Sequence, residues 1–156
     1  MSNFPYQIYC DMDGVLVDFE KGAVESINKE LSKDSPKYPK LVKKIHQDIG
    51  HRDVVIQDIL KYSDDSVQSV KNYMYELVGN DPKYWADLKW TKDGRDLWSY
   101  IEKFNPYILT APMREGSIEG KKLWLSKHLG KRYVERATFE HDKFKYAKIG
   151  KDRNIL

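Results

Sequence analysis

The segment that most constrains this chain is Asp11–Phe19, with the sequence DMDGVLVDF. It directly follows Ile8–Cys10, whose apolar, β-favouring residues are typical of a buried strand. Gly14 then allows the backbone to turn sharply. Asp11 and Asp13 are separated by one residue, so they share a face on a continuing strand and can converge on one ligand in a loop.

Two carboxylates at the exit of a strand favour a catalytic site. In that interpretation a carboxylate nucleophile lies beside a carboxyl acid/base, and a cation holds the two anions together. The alternative is an ordinary turn with solvated acids, or a calcium loop. An EF-hand loop needs further oxygen ligands at alternate positions and a final Glu. Apolar residues occupy those places here: Val15, Leu16, Val17 and Phe19.

Strand and helix patterns alternate in the parts of the chain outside residues 20–83. Strands are predicted at 6–10, 107–110 and Val134–Phe139. A helical stripe precedes the second strand and ends at Asn105-Pro106; it comprises Leu97, Trp98, Ile101 and Phe104. A helix over Ser117–His128 is predicted to precede the third strand. Its side chains Leu123, Trp124 and Leu129 are expected to face inward, and Gly130 is expected at its C-cap. This order predicts an α/β fold whose parallel sheet carries the site at the strands' carboxyl ends.

Residues 20–83 are polar and helical in pattern, with few candidates for strands. Apolar side chains recur there at helical spacing in three stretches: Val24, Ile27 and Leu31; Leu41, Val42, Ile45 and Ile49; Val67, Val70, Met74, Leu77 and Val78. A short apolar element at Val54–Leu60 lies between the last two, and Gly79–Pro82 ends the region.

Composition limits the classes of function. At 156 residues one domain with a small insertion is expected. The net charge of +3 is spread among many acids and bases, which argues against a nucleic-acid binder but suits a small anionic substrate. Cys10 is the single cysteine and is expected to be a small buried residue. His46 and His51 lack the further ligands that a zinc site needs.

Location follows from the same reading. No apolar run approaches membrane-spanning length, so no membrane association is expected. The N-terminus lacks a signal-peptide core, and a cytoplasmic protein is therefore expected.

DMDGVLVDF resembles motif I of the haloacid dehalogenase-like (HAD) phosphohydrolases, in the form of their 5'(3')-deoxyribonucleotidase branch. Later segments resemble the same branch, from residue 6 to the end of the chain. Tyr84–Leu88, with Trp90 after it, is similar to the segment that leads back from the cap into the core. Tyr107–Pro112 resembles motif II and Lys121–Gly130 the helix after it. Lys143, in His141-Asp-Lys, resembles the lysine of motif III.

The resemblance implies a HAD-like Rossmannoid core with a small helical cap inserted after the first strand. The core is assigned to residues 1–19 and 84–156, and the cap to residues 20–83. The implied activity is magnesium-dependent hydrolysis of (deoxy)nucleoside monophosphates. Asp11 is the implied nucleophile, which forms an aspartyl-phosphate, and Asp13 is the implied acid/base. The Asp11 carboxylate and the Asp13 main-chain carbonyl are the implied ligands of Mg²⁺.

The phosphate group is expected to contact Thr110, the backbone N–H of Ala111, and Lys143. Taken alone, Thr110 is better explained as an ordinary threonine at a strand end, and motif I upstream reverses that preference. Lys145 can take the role of Lys143 if the segment is extended. Both lysines also fit a solvated basic tail, since five basic residues fall between Lys143 and Arg153.

Aromatic residues point to the substrate. Phe19 lies just after the nucleophile, and Trp85 and Trp90 lie where the cap rejoins the core. A nucleobase stacked on such a ring gains roughly 1–3 kcal/mol. Phe19 and Trp85 are the predicted substrate-binding residues. A small cap pocket would admit a mononucleotide and exclude a nucleic-acid polymer. The alternative for each aromatic ring is a place in the hydrophobic core.

One departure from the family pattern concerns the fourth motif, an acidic pair after a further strand. The segment Arg153–Leu156 looks like the beginning of that strand, and no acidic pair follows. Either the chain is truncated or the site uses fewer acids and holds magnesium weakly. An exposed sheet edge is a further expectation, and it makes a homodimer possible.

Two other functions remain open at this point. The same chemistry can act on another small phosphomonoester, such as a sugar phosphate. Alternatively, the chain is a nucleotide-binding protein that has lost turnover together with its fourth acidic motif.

Overall fold

In the part of the chain that the structure describes, four parallel strands form one sheet. The computed structural model describes residues 5–147 and the backbone of residues 153–155. Strands β1 (Tyr6–Cys10), β2 (Tyr107–Thr110) and β3 (Ala137–Phe139) pair in parallel, and β4 (Arg153–Ile155) extends the sheet beside β1. The strand order is β3-β2-β1-β4. The predicted α/β class with a parallel sheet is confirmed, and β1 and β2 have the predicted bounds.

Helices flank the sheet and fill the long segment between β1 and β2. In chain order they are α1 (Phe19–Leu31), α2 (Pro39–Ile49), α3 (Ile56–Ile59), α4 (Gln68–Val78), α5 (Pro82–Ala86), α6 (Gly94–Ile101), α7 (Glu115–His128) and α8 (Lys131–Glu135). Two 3₁₀ helices cover Glu102–Phe104 and Lys143–Tyr146. No helix in the described part of the chain is both long and apolar enough to span a membrane.

The buried apolar residues of the described chain fall into two clusters. One lies around the sheet and includes Cys10, Leu16, Trp98, Ile108 and Trp124. The other lies among α1–α4 and includes Ala23, Ile27, Ile45, Val70 and Tyr73. The helices that follow β1 therefore bury an apolar cluster of their own.

The chain leaves the sheet layer and returns to it along adjacent paths. The Asp18 N–H donates to the Lys89 carbonyl at 2.9 Å, and the Thr91 N–H donates to the Leu16 carbonyl at 2.9 Å. Thr91 Oγ1 also donates to the Val15 carbonyl at 2.7 Å. These bonds tie the segment after α5 to the loop that follows β1.

Helices α5 and α7 pack closely because α7 carries Gly116 and Gly120 on the facing side. A Cβ placed on Gly120 would lie 2.3 Å from the Pro82 carbonyl oxygen and 2.5 Å from Trp85 Cβ. The Gly116 N–H donates to Asn80 Oδ1 at 2.6 Å. Gly120 thus lets the backbone of α7 approach α5, and Gly116 lets it approach Asn80 just before α5.

We expect Gly120→Ala to lower the free energy of unfolding by about 1–3 kcal/mol, because the methyl group overlaps the α5 backbone. In an open helix the same change would stabilise by up to about 1 kcal/mol. Urea denaturation followed by circular dichroism measures the difference. Glu119→Ala, at the adjacent exposed position, is the matched control and should change stability by less than about 0.5 kcal/mol. A stabilised Gly120→Ala protein would contradict the close packing.

Several sequence predictions near α7 and β3 were wrong in detail. The third strand begins at Ala137, not Val134, because α8 occupies the preceding residues and buries Tyr133. Leu123 is 52% exposed, since the inward row of α7 contains Lys121, Trp124 and Leu125. The helix begins at Glu115, and Leu129 takes the C-cap position expected for Gly130.

The stripe predicted before β2 is only partly inward. Trp98 and Ile101 are buried, whereas Leu97 is exposed. The α-helix ends at Ile101, so Phe104 belongs to the 3₁₀ turn that follows. Asn105 then adopts the left-handed conformation that closes this turn.

Candidate functional site

A tight loop holds the two carboxylates at the carboxyl end of β1. The Met12 carbonyl accepts hydrogen bonds from three successive N–H groups, those of Val15, Leu16 and Val17, at 2.8–3.1 Å. Gly14 has φ +74°, a conformation that glycine adopts without a Cβ penalty. This turn fixes Asp11 and Asp13 beside the end of the neighbouring strand, β2.

The Asp11 carboxylate is held by two donors. The Met12 N–H donates to Oδ1 at 2.7 Å, and Lys143 Nζ donates to Oδ2 at 2.5 Å. Lys143 lies in the 3₁₀ helix that follows β3, so the sheet order brings together residues that are 132 apart in the chain. The Asp11 and Lys143 side chains remain 35% and 30% exposed, which leaves the pair accessible to a solute.

Asp13 is held by a lysine to which the sequence predictions gave no role at the site. Lys121 Nζ, in α7, donates to Asp13 Oδ2 at 2.9 Å, to Thr110 Oγ1 at 2.9 Å and to the Ala111 carbonyl at 2.6 Å. Lys121 is completely buried. An ammonium has three N–H donors, so these three bonds use all of them.

The electrostatics of Asp13 follow from two opposing effects. Burial raises the pKa of the Asp13 carboxyl above its usual value, and the Lys121 ammonium partly offsets this rise. Oδ1 of Asp13 is buried and has no hydrogen-bond partner in the described part of the chain. A carboxyl group in this setting retains a proton at higher pH than an exposed aspartate does, as a general acid requires.

The predicted phosphate-binding residues lie in the same network. Thr110 is buried at the end of β2, and its hydroxyl oxygen accepts the bond from Lys121. Ala111 follows it and contributes its carbonyl to the same ammonium. The structure thus brings together Asp11, Asp13, Thr110, Ala111 and Lys143. Their roles toward a substrate remain predictions.

Lys145, the alternative to Lys143, lies elsewhere. Its ammonium pairs with Glu140 on the surface. The segment is a 3₁₀ helix and not extended, so the two lysines do not share a face.

The predicted aromatic contacts form a stacked pair near the site. Phe19 and Trp85 stack with ring centroids 5.1 Å apart and planes at 8°. Trp85 is buried and donates its indole N–H to the Val78 carbonyl at 2.8 Å, while Phe19 keeps partial exposure. Lys121 Nζ lies 4.8 Å from the Trp85 ring centre. A base would therefore reach this pair through Phe19, with Trp85 as its support.

Trp90 is not part of this pair. It packs edge-on against Trp124 and near His128, at centroid distances of 4.8 and 5.8 Å. Its ring is thus directed toward α7 rather than toward Phe19.

A groove of about 490 Å³ runs along α1 and α5, and its lining includes Asp18, Lys21, Tyr84 and Trp90. Asp11 and Asp13 are not among the lining residues. The groove therefore lies beside the start of α1. The carboxylates of Asp11 and Asp13 lie outside it.

The oxygen atoms at the site suit a magnesium ion that is also bound by phosphate oxygens. Among the described residues, the backbone hydrogen bonds of the loop after β1 do not use the Asp13 main-chain carbonyl, and the Asp11 carboxylate lies two residues before it in the chain. Residues 5–147 contain no cluster of three or more acidic, histidine or cysteine side chains suited to a metal. Magnesium bound here would rely on one carboxylate, one carbonyl, water and phosphate oxygens, which is an accepted set for this ion.

Lys121 was missed because a lysine is by default read as a surface residue. One signal in the sequence points to it: Lys121 precedes Trp124 and Leu125 by three and four residues, which places all three on one face of a helix.

Comparison of the sequence with protein-family models and with curated proteins gives no match for this chain.

Proposed function

We propose that this protein is a magnesium-dependent phosphomonoesterase of the HAD type that hydrolyses (deoxy)nucleoside monophosphates. The observation that carries the proposal is the pairing of each carboxylate with its own lysine. Lys143 contacts Asp11, and Lys121 contacts Asp13 together with the end of β2. The parallel sheet and the separate helical cluster after β1 are consistent with a HAD-like core and a cap over residues 20–83.

The proposed reaction has two steps. An Asp11 carboxylate oxygen attacks phosphorus, the bond from phosphorus to the nucleoside oxygen breaks, and Asp13 gives its proton to that oxygen. Water then attacks the phosphorus of the aspartyl-phosphate and gives a proton to Asp13. The acyl-phosphate bond breaks, inorganic phosphate leaves, and the Asp11 carboxylate is restored.

Charge control in these steps falls to the residues already described. The Lys143 ammonium offsets the negative charge of Asp11 and of the phosphoryl oxygens. The Thr110 hydroxyl already accepts a bond from Lys121, so its own hydrogen can be donated to a phosphoryl oxygen. Magnesium, held by the Asp11 carboxylate and the Asp13 carbonyl, would supply further neutralisation of phosphate charge.

The nucleoside part of the substrate is proposed from the aromatic pair. Phe19 is partly exposed one residue after the end of the loop, and Trp85 stacks beneath it. A sugar phosphate would lack the ring that stacks on Phe19. Competition by free deoxynucleosides separates the two substrates, because only a base-binding site responds to a nucleoside without phosphate.

The test is phosphate release from a panel of deoxy- and ribonucleoside monophosphates, with and without magnesium. Release that requires magnesium supports the proposal, and the panel ranks bases and sugars. Nucleotide binding without release, measured by calorimetry on the same sample, would favour a binding protein instead. The observation that favours a binding protein is the absence, in residues 5–147, of a cluster of three metal-ligating side chains.

We expect magnesium to bind weakly, with half-maximal turnover at roughly millimolar metal, because residues 5–147 supply no cluster of three or more metal-ligating side chains. The measurement is a magnesium titration of phosphate release at saturating nucleotide. EDTA should abolish turnover, and added magnesium should restore it. Saturation at micromolar magnesium would show that further ligands complete the site.

A further inference from the structure

We propose that Lys121 is a positioning residue of the phosphoryl-transfer site, a role that rests on the proposed function. Its buried ammonium holds Asp13, Thr110 and Ala111 as one unit, so that the acid/base stays aligned with the leaving oxygen. Lys121 does not itself contact the phosphate in this arrangement, since its three donors are already used.

The first argument is the completeness of the contacts. A fully buried lysine is rare, because an ammonium loses its hydration in the interior. Here the loss is offset by three acceptors at 2.6–2.9 Å, one of them a carboxylate. The three acceptors come from the loop after β1 and from the end of β2. The ammonium therefore fixes the distance between these two segments at the site.

The second argument is the contrast with Lys143. That lysine lies in a short 3₁₀ helix, keeps 30% exposure and contacts the proposed nucleophile. Lys121 lies in the middle of a 14-residue helix in which Gly120 packs closely against α5 and Gly116 against the preceding Asn80. A residue with so rigid a support is suited to hold another group in place. Lys143 thus offsets the charge of the phosphate, and Lys121 keeps Asp13 aligned.

The third argument concerns Asp13 itself. Only Oδ2 is bonded, and Lys121 is its side-chain partner; Oδ1 has none in the described part of the chain. Without the ammonium the carboxyl group would lose its one direct restraint and could rotate about its side-chain bonds. Proton transfer depends on a heavy-atom distance of about 2.6–3.2 Å, so such rotation is costly.

The test is a double-mutant cycle with Lys121→Met and Asp13→Asn, measured as kcat/KM for the best nucleotide of the panel. We expect each single variant to lose roughly 10²-fold and the double variant to lose little more, because both remove the same aligned acid/base. Multiplied losses in the double variant would overturn the proposal. Lys122→Met is the matched control, since Lys122 is the exposed neighbour on the same helix and should retain activity within about threefold.

A second readout separates alignment from general loss of structure. The leaving group of 4-nitrophenyl phosphate, 4-nitrophenolate, departs as a stable anion and needs no proton, whereas a nucleoside oxygen does. We expect Lys121→Met to lower the ratio of kcat/KM for the nucleotide to kcat/KM for 4-nitrophenyl phosphate by about tenfold or more, because kcat/KM does not include the hydrolysis of the aspartyl-phosphate that both substrates share. An equal loss on both substrates, in a protein with unchanged circular dichroism, would show a structural role only.

Two outcomes concern folding and the parent activity. If Lys121→Met does not fold, Lys121→Gln carries the same cycle, because it keeps a donor for Thr110 without the charge. A folded parent protein that hydrolyses neither substrate overturns the proposed function, and this inference with it. An active parent with multiplied losses overturns only the role of Lys121.

Discussion

Asp11→Asn is expected to lower phosphate release from nucleoside monophosphates at least about 10³-fold, equivalent to about 4 kcal/mol of transition-state stabilisation. The reason is that an amide oxygen cannot form the aspartyl-phosphate on which both steps depend. Asparagine has nearly the same shape and can still accept the Met12 N–H. The fold should therefore change little, and so should nucleotide affinity measured without magnesium, for which the Asp11 carboxylate is a proposed ligand.

Release of phosphate under single-turnover conditions measures this effect directly. Asp64→Asn is the matched control, because Asp64 is exposed and lies outside the network. Nucleotide affinity by calorimetry without magnesium should agree within several fold for the parent and both variants. Undiminished release by Asp11→Asn would exclude Asp11 as the nucleophile, even if the protein is a phosphatase.

The first two strands were predictable because their signals are local. Ile8–Cys10 and the segment 107–110 are short apolar runs next to turn residues, and burial in a parallel sheet requires little more. The loop with Gly14 was predictable for the same reason, since a sharp turn needs a residue that tolerates positive φ.

The third strand was misplaced because apolar content does not distinguish one turn of helix from a strand. The apolar side chains of Tyr133 and Val134 suit a helix as well as a strand. In the structure they belong to α8, and Tyr133 packs edge-on against Trp98. Tertiary packing, not local pattern, therefore sets the start of β3 at Ala137.

The site was partly predictable for a different reason. Asp11 and Asp13 carry a strong signal, because two carboxylates after a strand are unusual in a core. Lys121 carries almost none, since its burial depends on acceptors from segments 10 and 108 residues away in the chain. Its partners become visible only when α7 is placed against the end of β2.

Lys143→Met is expected to lower kcat/KM by roughly 10²–10³-fold, whereas Lys145→Met should change it by less than about threefold. The two lysines are two residues apart, and on an extended strand either one could face the nucleophile. In the 3₁₀ helix, with about three residues per turn, they point to different sides. Lys143 contacts Asp11, and Lys145 contacts Glu140.

The pair is informative because the same charge and the same number of atoms are removed in both variants. Steady-state phosphate release against nucleotide concentration measures kcat and KM for each, with stability checked by thermal denaturation. Restoration of part of the activity by Lys143→Arg would support a need for positive charge, since arginine keeps it. If Lys145→Met were the more damaging change, the segment after β3 would have to rearrange when substrate binds, because only then does Lys145 reach Asp11.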